Sequence, residues 1–166
     1  MTRILGQLED LGGGRGAVRI EDRFETTAQD LWSACTDPER LARWIAEVHG
    51  ELHVGGTFRA VFTSGAECSG EVLACEPPHR LLVRTRDDGA EADEEMEVRL
   101  VPDGTATRLV LEERGIPLED LPAYGAGCQI HVEHLRALLD GVAPSPMAAR
   151  WRELEPIYRG QPISRL

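Results

Sequence analysis

Four side chains in this sequence have the types and positions to do chemistry: Asp22, Tyr124, Cys128 and His131. An acid–base site needs titratable groups gathered in a sequestered place with shifted proton affinities. Asp22 breaks the alternation of its segment, since it falls with Val18, Ile20 and Phe24 while Arg19, Glu21, Arg23 and Glu25 take the other face. It reads either as a strand-edge carboxylate that is paired or hydrated, or as a polar anchor inside a cavity. His131 follows Cys128 by three residues, about one helical turn, where the two side chains can meet and an imidazole can draw out a thiolate. No third orienting group and no oxyanion turn accompany them. The balance leans against an enzyme, with Asp22, Tyr124 and His131 as the residues to test.

Metal and covalent-cofactor chemistry find no footing. Cys35, Cys68, Cys75 and Cys128 form no Cys-x-x-Cys pair, and no ligand-like spacing joins them to His49, His53, His79, His131 or His134. Free, mostly buried thiols are the expectation, with no metal and no cofactor. All 18 basic residues are arginine, so a lysine Schiff base is excluded. Seven acids between Asp87 and Glu97 lack the register of a calcium loop and read as a solvated hairpin tip.

The elements that must position these residues follow from periodicity. Residues 4–10 and 16–25 are extended segments on either side of Gly12-Gly13-Gly14. Thr27 caps a helix running to about Thr36, and Asp37-Pro38 opens a second over 38–45 that presents Leu41, Trp44 and Ile45. Glycine- and proline-marked turns then divide strands at 47–54, 57–63, 66–76, 80–86, 94–101 and 105–113, each with one apolar and one charged face. The longest helical stripe, Tyr124, Cys128, His131, Val132, Leu135, Leu138 and Leu139, spans 121–140 and stops at Gly141. A short helix over 146–155 follows, with Ile157 and Tyr158 just beyond Pro156.

This order predicts an α+β fold in which a curved antiparallel sheet wraps the long helix and leaves a concave apolar space. The expected cavity wall is Trp44, Phe58, Phe62, Val72, Met96, Val98, Leu109, Tyr124, Cys128, His131 and Leu135, whereas Trp32 reads as core. With 166 residues, one body is expected: an N-terminal arm or extra strand over 1–15, a main domain over 16–141 and a tail over 142–166. Twenty-nine acidic residues against 18 basic ones give a net charge of −11, which disfavours nucleic acid. No apolar run reaches the ~18 residues of a membrane span, and a cytoplasmic protein is expected.

Leu31-Trp32-Ser33-Ala34-Cys35-Thr36-Asp37-Pro38 and the following Leu41 and Trp44 resemble the signature of the AHSA1-like (activator of Hsp90 ATPase homologue-like) branch of the SRPBCC/START/Bet v 1-like superfamily. Val54-Gly55-Gly56-Thr57-Phe58, the Gly70-Glu71-Val72-Leu73 and Glu76-Pro77-Pro78 pieces, and Gly104-Thr105 before Arg108-Leu109 are similar to its later motifs. The resemblance covers about residues 16 to 140 and implies a helix-grip fold with a deep cavity. One departure stands out: the last helix of the family commonly opens with Gly-Trp, and this chain has Gly127-Cys128, which would enlarge the cavity unless Phe62, Met96 or Tyr124 fills the room. The resemblance implies binding of a hydrophobic or aromatic small molecule. The alternatives are a polyketide cyclase- or hydrolase-like enzyme, or an interaction module, co-chaperone-like or homodimeric through an edge strand or the 146–158 tail.

Overall fold

The computed structural model describes residues 2–165, and its elements follow from local signals of capping and alternation. In chain order these are β1 (Gly6–Gly12), β2 (Arg15–Phe24), α1 (Ala28–Thr36), α2 (Pro38–Trp44), β3 (Ala46–Gly50), β4 (Thr57–Phe62), β5 (Glu67–Glu76), β6 (Arg80–Asp87), β7 (Glu94–Asp103), β8 (Ala106–Pro117), α3 (Leu121–Asp140), α4 (Met147–Arg159) and β9 (Ile163–Arg165). The Thr27 hydroxyl accepts from Asp30 N and the Asp37 carboxylate from Glu39 N, so two orphan amide donors are satisfied where α1 and α2 begin. Gly141, at φ +69°, ends α3 in the left-handed conformation that glycine adopts without a Cβ penalty.

The strands form one nine-stranded sheet in the order β3-β4-β5-β6-β7-β8-β2-β1-β9, antiparallel except where β9 runs parallel to β1. Its concave face packs on α3 through Val18, Ile20, Leu100, Leu109 and Leu111, all buried against Ile130, Val132 and Leu135. This is the helix-grip fold. The convex face carries ion pairs, among them Glu97 with Arg80 at 2.7 Å, Arg99 at 3.1 Å and Arg114 at 3.3 Å. Among the described residues no helix is long and apolar enough to cross a membrane.

Several expectations need correction. The strand read over 47–54 ends at Gly50, because residues after it turn over the sheet and Gly55 and Gly56 exchange backbone hydrogen bonds with Val72 on β5. Asp22 is not at an edge, since β2 lies between β1 and β8. The acid-rich stretch is not wholly solvated: Glu97 is buried under its arginines, and Glu94 is half-buried on the concave side. The last helix continues through Pro156 to Arg159, because Leu154 and Tyr158 are both buried against the rest of the protein. Tyr158 donates to Gln129 Oε1 at 2.5 Å and accepts from Gly6 N at 2.9 Å, and Gly6 and Gly125 have no Cβ to obstruct its ring. The tail therefore covers the outer side of α3 and adds β9 to the sheet.

Candidate functional site

A cavity of about 300 Å³ opens between the β3–β8 half of the sheet and the helix pair α1–α2. It is twice the roughly 150 Å³ of an apolar cavity that holds benzene. Trp32, Cys35, Thr36 and Leu41 face it from the helices, Trp44 and Ile45 from the end of α2, and Leu52 from the turn after β3. The sheet contributes Phe58, Phe62, Cys68, Val72, Cys75, Val83, Thr85, Met96 and Val98, among others. Among the described residues no charged side chain is part of the wall. Half-buried Trp32, Thr36 and Leu41 and exposed Leu52 mark where it meets solvent.

Local sequence places each wall. Trp44 is 2% exposed, and its indole N–H donates to Ala34 O at 2.8 Å, so the one polar atom of the side chain is satisfied and the ring is locked between α1 and the cavity. The Thr36 hydroxyl donates to Trp32 O at 2.8 Å, which leaves its oxygen as an acceptor. On β5 the register shifts between Val72 and Ala74. This bulge reverses the alternation, so Cys75 points to the same side as Cys68 and Val72.

The thiols in the wall are poor nucleophiles. Burial pushes the Cys35 thiol up to about 12, against which Arg40 pulls weakly, and pushes Cys68 up to about 11. Both stay protonated near neutrality and serve as small polarizable surfaces.

Of the residues expected in the wall, Trp44, Phe58, Phe62, Val72, Met96 and Val98 are there; Leu109, Tyr124, Cys128, His131 and Leu135 are not. Leu109 and Leu135 belong to the packed core between sheet and α3. His131 stands behind the wall: its Nδ1 lies 3.1 Å from Trp44 O, and its ring centroid lies 6.1 Å from that of Phe62. A carbonyl only accepts, so Nδ1 carries the proton, and burial lowers the imidazole to about 4. The neutral ring is a strut between α3 and α2, and it does not activate Cys128. Asp22 lies away from the cavity and pairs with Arg136 at 2.7 Å and Arg3 at 3.4 Å. Trp32, read as core, lines the cavity instead.

Tyr124 and Cys128 belong to a separate polar group on the concave face. Tyr124 Oη lies 2.9 Å from Glu94 and 3.3 Å from Asp87, while the Cys128 thiol lies beside the Glu113 carboxyl. A phenol has one proton to donate, so it cannot satisfy two ionised carboxylates at once. Burial, and beyond it the neighbouring carboxylates, pushes Glu113 up to about 7 and raises Glu94. The Cys128 side chain therefore meets a carboxyl group, and the room left by a missing indole does not enlarge the cavity. Glu94 shares the parity of Met96 and Val98, and Glu113 that of Leu109 and Leu111, a signal present in the sequence but hidden by the density of charge around them.

A family profile described as "Activator of Hsp90 ATPase homolog 1-like protein" matches residues 25–140, which span α1, α2, the cavity strands and α3. The chain belongs to this family. Among solved structures, CalU16 from Micromonospora echinospora is 30% identical with a TM-score of 0.77, covering 93% of this chain and 94% of that one. DynU16, a protein of the dynemicin biosynthetic locus, is 27% identical with a TM-score of 0.72; the match covers 78% of this chain and 49% of DynU16. An Hsp90 activator from Plasmodium falciparum, 23% identical with a TM-score of 0.52 over 61% of this chain and 74% of that one, shares the fold alone. No curated protein matches the chain significantly.

Proposed function

We propose that this family member binds a neutral, largely apolar aromatic molecule in the cavity between the sheet and the α1–α2 pair. The observation that carries the reading is a cavity of about 300 Å³ whose wall, among the described residues, has no charged side chain. A carboxylate-bearing ligand would enter with no cation to meet it, and the protein's net charge of −11 would oppose its approach. Trp32, Trp44, Phe58 and Phe62, together with the sulfur atoms of Cys35, Cys68, Cys75 and Met96, favour the faces and edges of aromatic rings. The Thr36 and Thr85 hydroxyls suit one or two carbonyl or hydroxyl groups. The origin of DynU16 in a biosynthetic locus is in keeping with a small-molecule role.

Binding is favoured over turnover because the wall, among the described residues, holds no carboxylate, imidazole or amine to move a proton, and its Cys35 and Cys68 thiols are held protonated. The test is thermal unfolding against paired neutral and anionic aromatics, such as naphthol and naphthoate. A ligand at a hundredfold over its dissociation constant adds about 2.7 kcal/mol, several degrees for a chain of this size. A saturable shift with the neutral member, absent with the anion, is the expected result. No shift with any neutral mono-, bi- or tricyclic aromatic would overturn the reading.

A further inference from the structure

Phe58 does not stand up from the sheet into the cavity. It pairs with Gly50 on β3 and Gly70 on β5, so its two cross-strand neighbours both lack side chains. A Cβ at Gly70 would fall 2.2 Å from Phe58 Cζ, 2.6 Å from Cε2 and 2.7 Å from Cε1. Contact with the tip and both flanking carbons at such similar distances places the ring across the Gly70 backbone, in the space a side chain would take. On the far side Gly50, at φ +135°, brings its backbone against the base of the same side chain, with 2.7 Å between its virtual Cβ and Phe58 Cα. The ring thus lies along the sheet from β4 over β5, towards Thr85, which pairs with Gly70 across β6. One face rests on backbone and the other belongs to the cavity, of which Phe58 and Thr85 are both part.

We infer that Gly70 is the specificity-determining residue of the cavity: by leaving room for Phe58 to lie down, it sets the cavity's height and presents a flat aromatic floor on which a planar ring system stacks. The inference rests on the cavity being the binding site proposed above, and it narrows the ligand from aromatic to planar and polycyclic. Any side chain at Gly70 must lift the ring, and lifting it fills the space that the ligand uses. The glycine cannot be explained by its own backbone, since φ at Gly70 is not in the left-handed region.

The experiment uses xenon, benzene, naphthalene and anthracene as probes on the wild-type protein, on Gly70→Ala and on Phe58→Leu combined with Gly70→Ala. Gly70→Ala is expected to weaken naphthalene and anthracene by about tenfold or more while benzene changes less, because overpacking removes depth rather than all of the space. The double variant, with no ring to be lifted, is expected to regain the space, read as xenon uptake, while the polycyclic probes stay weaker than in wild type for want of the ring on which they stack. Unchanged affinities in Gly70→Ala, or a loss of xenon uptake that the double variant does not restore, would overturn the inference. Xenon separates it from the binding reading. If no aromatic binds wild type, the binding reading fails alone, while xenon uptake that drops in Gly70→Ala and returns in the double variant still upholds the role of Gly70. If Gly70→Ala does not fold, the wild-type spectrum decides: a ring lying over Gly70 shifts its α-protons strongly upfield, and ordinary shifts there would overturn the inference.

Discussion

The Asp22 carboxylate and the Arg136 guanidinium meet at 2.7 Å and tie the C-terminal end of β2 to the last third of α3. The same guanidinium donates to Arg23 O at 2.8 Å and lies 4.4 Å over the Phe24 ring, so three neighbouring residues of the strand hold one arginine. This accounts for the acid on an apolar face: it is the socket for a helix side chain. Replacing Arg136 by alanine is expected to cost roughly 2–4 kcal/mol, since the buried Asp22 keeps only the exposed Arg3 as a charged partner, beside the Arg23 backbone N–H. Urea unfolding measures that cost. Binding of aromatic probes to the folded variant should be unchanged, and a changed affinity would contradict the separation of Asp22 from the cavity.

His131 is neutral in the folded protein and holds Trp44 O, with its imidazole lowered to about 4 by burial. A base with a depressed value contributes stability that is present above its ordinary value of about 6.5 and lost as pH falls towards 4. The C2 proton of His131 should therefore stay put between pH 7.5 and 5.5 in an NMR titration. A midpoint near 6.5 would show that the strut is absent.

Glu113 predicts the opposite slope. Its carboxyl is pushed up to about 7, so between about 4.5 and 7 the unfolded chain ionises before the folded one, and stability falls as pH rises through that window. Glu113→Gln should gain roughly 1–3 kcal/mol over wild type at pH 8 and little at pH 4.5. Because His131 and Glu113 pull in opposite directions where their windows overlap, the wild-type profile hides both, and denaturation of the single variant across pH exposes each.

Cysteine labelling reports on the cavity directly. Cys75 is half-buried in the wall, whereas Cys35 and Cys68 are buried and held protonated, with only about one thiol in a thousand or fewer ionised at pH 8. A neutral maleimide should modify Cys75 first, and saturating naphthalene should slow that reaction at least several-fold. Equal rates with and without the probe would place its binding elsewhere.

Much of this was readable in the chain, and the exceptions share a cause. The caps at Thr27 and Asp37, the alternation of β7 and β8 and the stop at Gly141 are signals carried within a few residues, and they fix the elements. Five residues of the cavity wall, Phe58, Phe62, Val72, Met96 and Val98, follow from the alternation of β4, β5 and β7. What alternation misses is any residue whose direction depends on a partner strand: Cys75 turns inward only because β5 bulges beyond Val72. Cys128 and Tyr124 lie on the correct helical stripe, yet the stripe crosses two environments, apolar near Leu135 and carboxyl-lined near Glu94 and Glu113. Tyr158 was hidden by Pro156, which reads as a helix stop, although Leu154 and Tyr158 together bury enough apolar surface to carry the helix past it.

The pairing of β9 with β1 has a practical outcome. Leu8 to Asp10 and Ile163 to Arg165 lie side by side at one rim of the sheet, while β3, next to the cavity, forms the other. A label or surface tether joined beyond either of these strands would sit at the rim of the sheet opposite β3, the rim next to the cavity. The protein can then be anchored for single-molecule or biosensor work with its cavity facing the bulk, and two copies linked head to tail would keep both cavities accessible.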